Sequence, residues 1–233
     1  MKLNQPKDSV NPDNPDLAER IHRWIVIAVV TMMTAELAWT IFEQNWLGAF
    51  LIVTIMAVLT APTVVGGWLP VKIPAEFQIL ALLFSFAALF LGELRSFYER
   101  FWWWDITLHG FSGLLFGILG FLLIYILNED GRVDLHLQPR FVALFAFLFA
   151  IAVGVAWEIL EFMSDNTIGT KMQKPHPGDP SGLSDTMWDL IVNCLGALII
   201  SIYGWRYLRD PKQSFIERWV EKFVTRNPTL FGS

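Results

Sequence analysis

The chain has 233 residues, of which 54% are hydrophobic and 17% are charged, and its formal net charge is −5. This apolar share exceeds that of ordinary soluble domains, so the composition predicts an integral membrane protein. The acidic balance, together with a sequence that has no zinc-finger, P-loop or Rossmann pattern, excludes nucleic acid as a partner.

Residues 1–23 are polar and acidic, which is atypical of a signal peptide, so we expect a retained N-terminal segment. Six apolar segments follow, each approaching the roughly 20 residues that cross a hydrocarbon core. They predict an all-α fold, a polytopic bundle of six transmembrane helices in the lipid bilayer that forms one domain over residues 24–204. The segments lie near 24–42, 47–65, 74–94, 105–127, 141–161 and 186–204.

The distribution of lysine and arginine predicts the orientation of the bundle. With six spans, the N-terminus, two loops and the C-terminus share one side of the membrane, and that side carries 13 of the 17 basic residues. Because basic loops stay cytoplasmic, both termini are predicted to be cytoplasmic.

The C-terminal tail, residues 205–233, contains an amphipathic segment at 214–226. Ser214 and Glu217 have the spacing of a capping box, and apolar residues fall on one helical face. The segment is predicted to be a cytoplasmic helix that lies on the membrane surface or packs beneath the bundle.

Polar side chains gather where three predicted spans meet the outer side of the membrane. Spacings of three and four residues place each set on one helical face. Span four begins with Asp105 and His109, span five ends with Glu158 and Glu161, and span six begins with Asp185, Asp189 and Asn193.

Two interpretations of these stripes stay open. Asp105, and Ser184 or Asp185, are suitable helix N-caps, and the whole set could form a structural polar network. Capping does not explain His109 and Asp189, which lie a turn or more deeper. Ionisable groups at that depth normally face a cavity or one another, which favours a functional site.

Five carboxylates in one place require positive charge nearby. Bound protons, a divalent metal, or the loop cations Arg95, Arg100, Lys171 and Lys174 could supply it. Carboxylates with one imidazole suit Mg²⁺, Mn²⁺, Zn²⁺ or Fe²⁺. The predicted metal ligands are Asp105, His109, Glu158, Glu161, Asp185 and Asp189.

Two further features complete the candidate site. Glu36, inside span one, could be a proton carrier or could hydrogen-bond a neighbouring helix while protonated. The loop at 162–184 is rich in Gly, Pro and Ser and is predicted to be irregular, acting as a lid or head-group contact through Lys171 and Lys174, or as a mobile linker.

The segments WWWDITLHGFSGLLFG, VAWEILEF and LSDTMWDLIVNCLGAL resemble YjdF-type bacterial inner-membrane proteins and, more distantly, VanZ-like membrane proteins. The match covers about residues 100–205, with Asp105 and His109 at the first element, Glu158 and Glu161 at the second, and Asp189, Asn193 and Gly196 at the third. Glu161 departs from the glutamine common in the VanZ-like pattern. The resemblance implies a bacterial plasma membrane location and no assigned activity.

The leading functional hypothesis is metal-assisted hydrolysis or group transfer on a lipid-linked substrate at the outer face. Glu158, His109 and Asp189 are the predicted catalytic residues, and Asn193, Lys171 and Lys174 are the predicted substrate contacts. The alternatives are a proton- or cation-coupled transporter and a non-catalytic membrane factor built around a structural polar network.

Overall fold

The computed structural model describes residues 17–65, 75–129, 137–167, 169–175 and 177–209, and these ranges contain helices and no strand. The all-α prediction is therefore confirmed for the described residues. The elements are α1 (Leu17–Phe42), α2 (Trp46–Val65), α3 (Ala75–Ser85) continued by a π-helix (Phe86–Leu94), α4 (Phe97–Arg100), α5 (Trp104–Glu129), α6 (Pro139–Thr167) and α7 (Leu183–Arg209).

Among the described residues, five helices are long and apolar enough to cross a membrane, namely Leu17–Phe42, Ala75–Leu94, Trp104–Ile124, Pro139–Thr167 and Leu183–Arg206. The remaining predicted span corresponds to α2, which shows a shorter apolar stretch, Gly48–Ala61, in its described part. The count of six spans and the cytoplasmic termini stay predictions. The first helix begins at Leu17, before the predicted start at residue 24. The predicted helix at 214–226 and residues 1–16 lie outside the described residues.

The chain divides into two compact units, one ending at Phe86 and the other beginning at Ala87. In the first unit α1 packs against α2 and α3. Met33 on α1 and Ile52 on α2 are among its most buried side chains. The side-chain oxygen of Asn45 accepts a hydrogen bond from the backbone N–H of Gly48 at 2.9 Å and so caps the start of α2.

The second unit is a bundle in which α5, α6 and α7 all pack against one another. Small residues bring the helix backbones close together, as is common between membrane helices. A side chain at Gly196 would collide with the carbonyl of Gly110, and one at Gly113 would collide with the carbonyl of Asn193. The close contact of α5 and α7 sets the distance between the polar residues at their first turns.

The π-helix at Phe86–Leu94 extends α3 to the end of the third predicted span. Nine consecutive residues in this conformation are unusual, because π-helices normally occupy a single turn. The chain then turns at Ser96, whose left-handed backbone (φ 55°) precedes the short helix α4.

Candidate functional site

The bundle brings the three polar stripes together around one imidazole. His109 Nε2 lies 3.7 Å from Asp105 Oδ1, one turn away on α5, and 3.9 Å from Asp189 Oδ2 on α7. On the other side of the ring, His109 Nδ1 lies 3.6 Å from Glu158 Oε1 on α6. Residues from all three helices therefore surround His109, as the spacing along each helix predicts.

Asp105, His109 and Asp189 each place one ligand atom within 4.8 Å of the others. Two atoms bound to one ion cannot lie further apart than twice the bond length, which is about 4 to 5 Å for bonds of 2.0–2.6 Å. Small side-chain movements would thus allow all three residues to bind the same ion. Asp189 is 1% exposed and His109 8%, while the Asp105 side chain is 13% exposed.

The oxygens of Asp189 and Glu158 are buried and accept no well-formed hydrogen bond from the described residues. The Thr186 hydroxyl, which accepts a hydrogen bond from Gln173 Nε2 at 2.9 Å, lies beside the Glu158 carboxylate. Buried carboxylates without partners are costly, because burial removes their hydration without replacing it. A bound proton or a bound cation would remove this cost.

Lys174, from the loop between α6 and α7, supplies positive charge at this site. Its ammonium pairs with Asp105 Oδ2 and lies 3.8 Å from Asp185 Oδ2. The same ammonium stands 4.9 Å from the centre of the Tyr98 ring, within the range of a cation–π contact. Burial alone would lower the pKa of Lys174, but the charge and hydrogen bond of Asp105 and the charges of Asp185 and Asp189 raise this pKa above its ordinary value.

The loop that carries Lys174 is held by hydrogen bonds to Asp165. Asp165 Oδ1 accepts from the Thr170 hydroxyl at 2.6 Å and from the Met172 N–H at 2.8 Å, and Oδ2 accepts from the Gln173 N–H at 3.0 Å. Lys174 itself has a left-handed backbone (φ 42°), which is uncommon for a residue other than glycine. These contacts hold residues 170–173 against the end of α6, and the role of the loop as a lid or head-group contact stays a prediction.

Three other predicted site residues have different partners. Glu161 Oε1 accepts a hydrogen bond from Trp157 Nε1 at 2.7 Å. Asn193 donates to the Ser112 hydroxyl at 3.0 Å, and its amide fills the space beside Gly154. Asp185 lies at the edge of the cluster near Lys174, with its side chain 25% exposed. Their predicted roles as metal ligands or substrate contacts stay predictions.

The start of α7 is capped by a residue other than the predicted Ser184 or Asp185. At the start of α7, the Asp179 carboxylate accepts hydrogen bonds from the Ser184 N–H at 2.5 Å and from the Ser181 hydroxyl at 2.6 Å. These hydrogen bonds lower the pKa of Asp179 below its ordinary value. The helix start is thus satisfied by a loop residue, whereas the Asp105 carboxylate faces Lys174 and His109.

Two predicted site residues are not among those that contact His109 or its carboxylates. Lys171 is exposed, and its carbonyl accepts a hydrogen bond from the Lys174 N–H at 3.2 Å. Glu36 is half-buried on α1, in the other unit, and its carbonyl accepts a hydrogen bond from the Thr40 hydroxyl at 2.8 Å. Its role as a proton carrier stays a prediction.

Sequence reasoning missed Asp165, Gln173 and Gly113 as supports of the site. The sequence SDNTIGT contains a usable indication, since an aspartate shortly before a Thr- and Gly-containing turn often accepts hydrogen bonds from that turn. For Gly113 the indication is the pair of glycines in HGFSG, which permits close helix packing.

The helices and the buried carboxylate and histidine side chains define a multi-pass membrane protein with an internal polar site. Residues 24–210 match the family described as "Predicted membrane protein (DUF2238)", and the chain belongs to this family. The match is consistent with the YjdF-type resemblance; the VanZ-like resemblance stays a prediction. An uncharacterised protein of Thermotoga maritima is 27% identical over 184 residues, which are 76% of this chain and 85% of the relative. No solved structure matches the chain.

Proposed function

We propose that the protein binds one divalent cation through Asp105, His109 and Asp189 and uses it for hydrolysis or group transfer on a lipid-linked substrate. The single observation that carries the proposal is the position of three ligand atoms within 4.8 Å of one another, from residues on two helices. Two carboxylates and one imidazole suit Mn²⁺, Fe²⁺ or Zn²⁺, and Mg²⁺ less well. Three protein ligands also leave coordination positions for water or substrate, as in catalytic sites.

The contacts of His109 support a separate role for Glu158. The Nε2 atom faces both aspartates, and the Nδ1 atom faces Glu158. A carboxylate that accepts the second ring N–H fixes the orientation and tautomer of a metal-binding histidine, and Glu158, whose Oε1 lies 3.6 Å from Nδ1, would take this role after a small approach of the two side chains. We therefore assign Glu158 as a positioning residue, in place of the catalytic role that its sequence position predicts.

The bound ion would polarise a phosphoryl or carbonyl oxygen of the substrate, or activate water. Lys174 would contribute a second positive charge, which suits a substrate with an anionic head group. The positions of these residues at helix ends favour a substrate that reaches the site from the membrane surface. We place that surface at the outer face of a bacterial inner membrane, following the six-span orientation.

A purely structural polar network explains the cluster less well. A network that serves packing satisfies its buried members, as Asn193 and Ser112 do one turn below. The oxygens of Asp189 and Glu158 are instead left without well-formed hydrogen bonds among the described residues. This difference favours a site that is completed by a ligand.

The test is metal analysis of the purified full chain, followed by thermal unfolding with Mn²⁺, Zn²⁺, Mg²⁺ or Ca²⁺. We expect one ion per chain, and a stabilisation of about 2.7 kcal/mol at an ion concentration one hundred times the dissociation constant. His109→Ala and Asp189→Asn should abolish both effects, and His22→Ala, a substitution on α1, should leave them unchanged. A chain that neither retains an ion nor is stabilised by one would contradict the proposal.

A further inference from the structure

A groove lies between α6 and α7 at the end of the bundle opposite the acidic site. Two adjoining shallow cavities, each of about 450 Å³ and open to the surface, share Arg140 and Trp205 in their lining. Arg209 lines the outer cavity, while Leu144, Phe147 and Ile202 line the inner one. The groove is therefore apolar along its length and basic at its rim.

The rim carries two positive charges, Arg140 from α6 and Arg209 from α7. None of the described residues that line the groove is acidic. The Arg209 guanidinium lies 5.8 Å from the centre of the Trp205 ring, a cation–π contact that helps to orient it. Two arginines beside an indole form a binding site suited to a phosphate group.

The rim of the groove and the acidic site are separated by the thickness of the hydrocarbon core. At 1.5 Å per residue, Arg140 lies roughly 27 Å along α6 from Glu158, and Arg209 lies roughly 30 Å along α7 from Asp189. These lengths equal the thickness of the hydrocarbon core, about 30 Å. The rim and the acidic site thus lie at opposite membrane interfaces, and Trp205 occupies the interfacial level that tryptophan prefers.

Ser201 gives an independent indication of a ligand. It lines the inner cavity two turns of α7 from Arg209, and its side chain is 5% exposed. Its hydroxyl has no hydrogen-bond partner among the described residues. Serines in membrane helices commonly donate to a carbonyl of the preceding turn, so an unpartnered one is unusual. An ester oxygen of a lipid in the groove would satisfy it after a change of rotamer.

We propose that this groove binds one anionic membrane phospholipid, with the phosphate between Arg140 and Arg209 and an acyl chain along Leu144, Phe147 and Ile202. Basic pockets between transmembrane helices are the recurring form of such sites. Lipid binding in this groove depends neither on the proposed metal centre nor on a catalytic activity of the protein.

The test uses the full chain purified in a neutral detergent and titrated with phosphatidylglycerol or phosphatidylcholine, with bound lipid counted by native mass spectrometry. We expect one phosphatidylglycerol per chain and at least tenfold weaker retention of phosphatidylcholine. We expect Arg140 and Arg209 each to contribute about a fivefold gain through contact with the lipid phosphate, so the double variant R140Q/R209Q should bind about thirtyfold more weakly. Arg206→Gln, an exposed residue at the same helix end, is the matched control.

Several outcomes would overturn this proposal. Equal retention of both lipids, or an equal loss in Arg206→Gln, would show a general attraction of charge to the bilayer. Competition by inorganic phosphate at similar concentration would show a phosphate site without a lipid. If no phosphatidylglycerol binds, and a cysteine introduced at Leu144 in a Cys194→Ser background resists thiol reagents, another segment of the chain or a second copy fills the groove.

Discussion

The ammonium of Lys174 pairs with the carboxylate of Asp105, which is also one of the three residues within ligand distance of a common ion. A divalent cation bound to Asp105 would lie close to this ammonium, and two positive charges a few ångströms apart repel each other strongly in a partly buried site. The lysine and the metal should therefore compete for Asp105. The loop that carries Lys174 would have to shift when the ion binds.

Replacing Lys174 should tighten metal binding. Lys174→Gln removes the competing charge, and we expect the dissociation constant for Mn²⁺ to fall at least tenfold, which corresponds to about 1.4 kcal/mol. Isothermal titration calorimetry of the detergent-solubilised chain measures this. Lys171→Gln changes the formal charge equally, at an exposed position in the same loop, and should have little effect. Weaker metal binding in Lys174→Gln would contradict the competition.

The same ion pair predicts how stability depends on alkaline pH. The pKa of Lys174 is raised in the folded protein, so its contribution to stability is fully present below the pKa of an unfolded lysine, about 10.4, and is lost as pH rises through the folded pKa. Without metal, Lys174→Gln should unfold at a lower temperature by an amount corresponding to about 1–3 kcal/mol, the range for loss of a charged hydrogen-bond partner. This gap should be constant from pH 7 to 9 and shrink above pH 10. A gap that already closes between pH 7 and 9 would show that another group is responsible.

The sequence predicts the helical bundle and the gathering of polar residues from three helices at one side of the membrane, because both follow from local periodicity. It does not determine whether His109 contacts Glu158 and Asp189. Apolar segments of membrane length and polar residues spaced by three or four determine which helix faces must meet. Periodicity could not predict that Lys174, rather than Lys171, contacts the carboxylates of the site. This contact depends on the hydrogen bonds that Asp165 makes across the loop, and loop conformations are not periodic. The capping of α7 by Asp179 could not be predicted either, because it also depends on the conformation of this loop.

Replacing Asp189 by asparagine should affect thermal stability differently with and without metal. In the metal-free chain, Asp189→Asn replaces a buried carboxyl group that has no well-formed hydrogen bond among the described residues, so we expect the free energy of unfolding to be unchanged or to rise by up to about 3 kcal/mol. Added Mn²⁺ should then stabilise the wild type and not the variant. Thermal unfolding with a chelator and with Mn²⁺ measures both effects.

A matched control for this experiment is Asp179→Ala, which removes a cap on α7 and none of the three carboxylates around His109. It should lower the unfolding temperature and leave the response to Mn²⁺ intact. Destabilisation by Asp189→Asn in the metal-free chain would mean that the carboxylate has a stabilising partner in the folded protein.

Removing the Asp165 carboxylate, which holds the loop, should tighten Mn²⁺ binding as the loss of Lys174 does. Asp165→Ala removes the acceptor for the Thr170, Met172 and Gln173 hydrogen bonds, so the loop is no longer held over the site. We expect faster proteolytic cleavage between residues 169 and 182, together with tighter Mn²⁺ binding than in the wild type. Faster cleavage with unchanged Mn²⁺ affinity would show that the loop does not control access of the ion to Asp105.

The packing of α5 against α7 provides the last prediction, because it positions the site without contributing a ligand. A methyl group at Gly113 would collide with the backbone carbonyl of Asn193, whereas one at Gly110 would have only the Val192 carbonyl nearby, at 3.9 Å. Gly113→Ala should therefore destabilise the chain by about 1–3 kcal/mol and weaken Mn²⁺ binding, since the two helices must move apart. Gly110→Ala should be neutral or stabilising by up to about 1 kcal/mol, because alanine favours the helix. Thermal unfolding and calorimetry of the pair test this directly, and equal effects of the two substitutions would show that the close approach of α5 and α7 does not position Asp189 opposite His109.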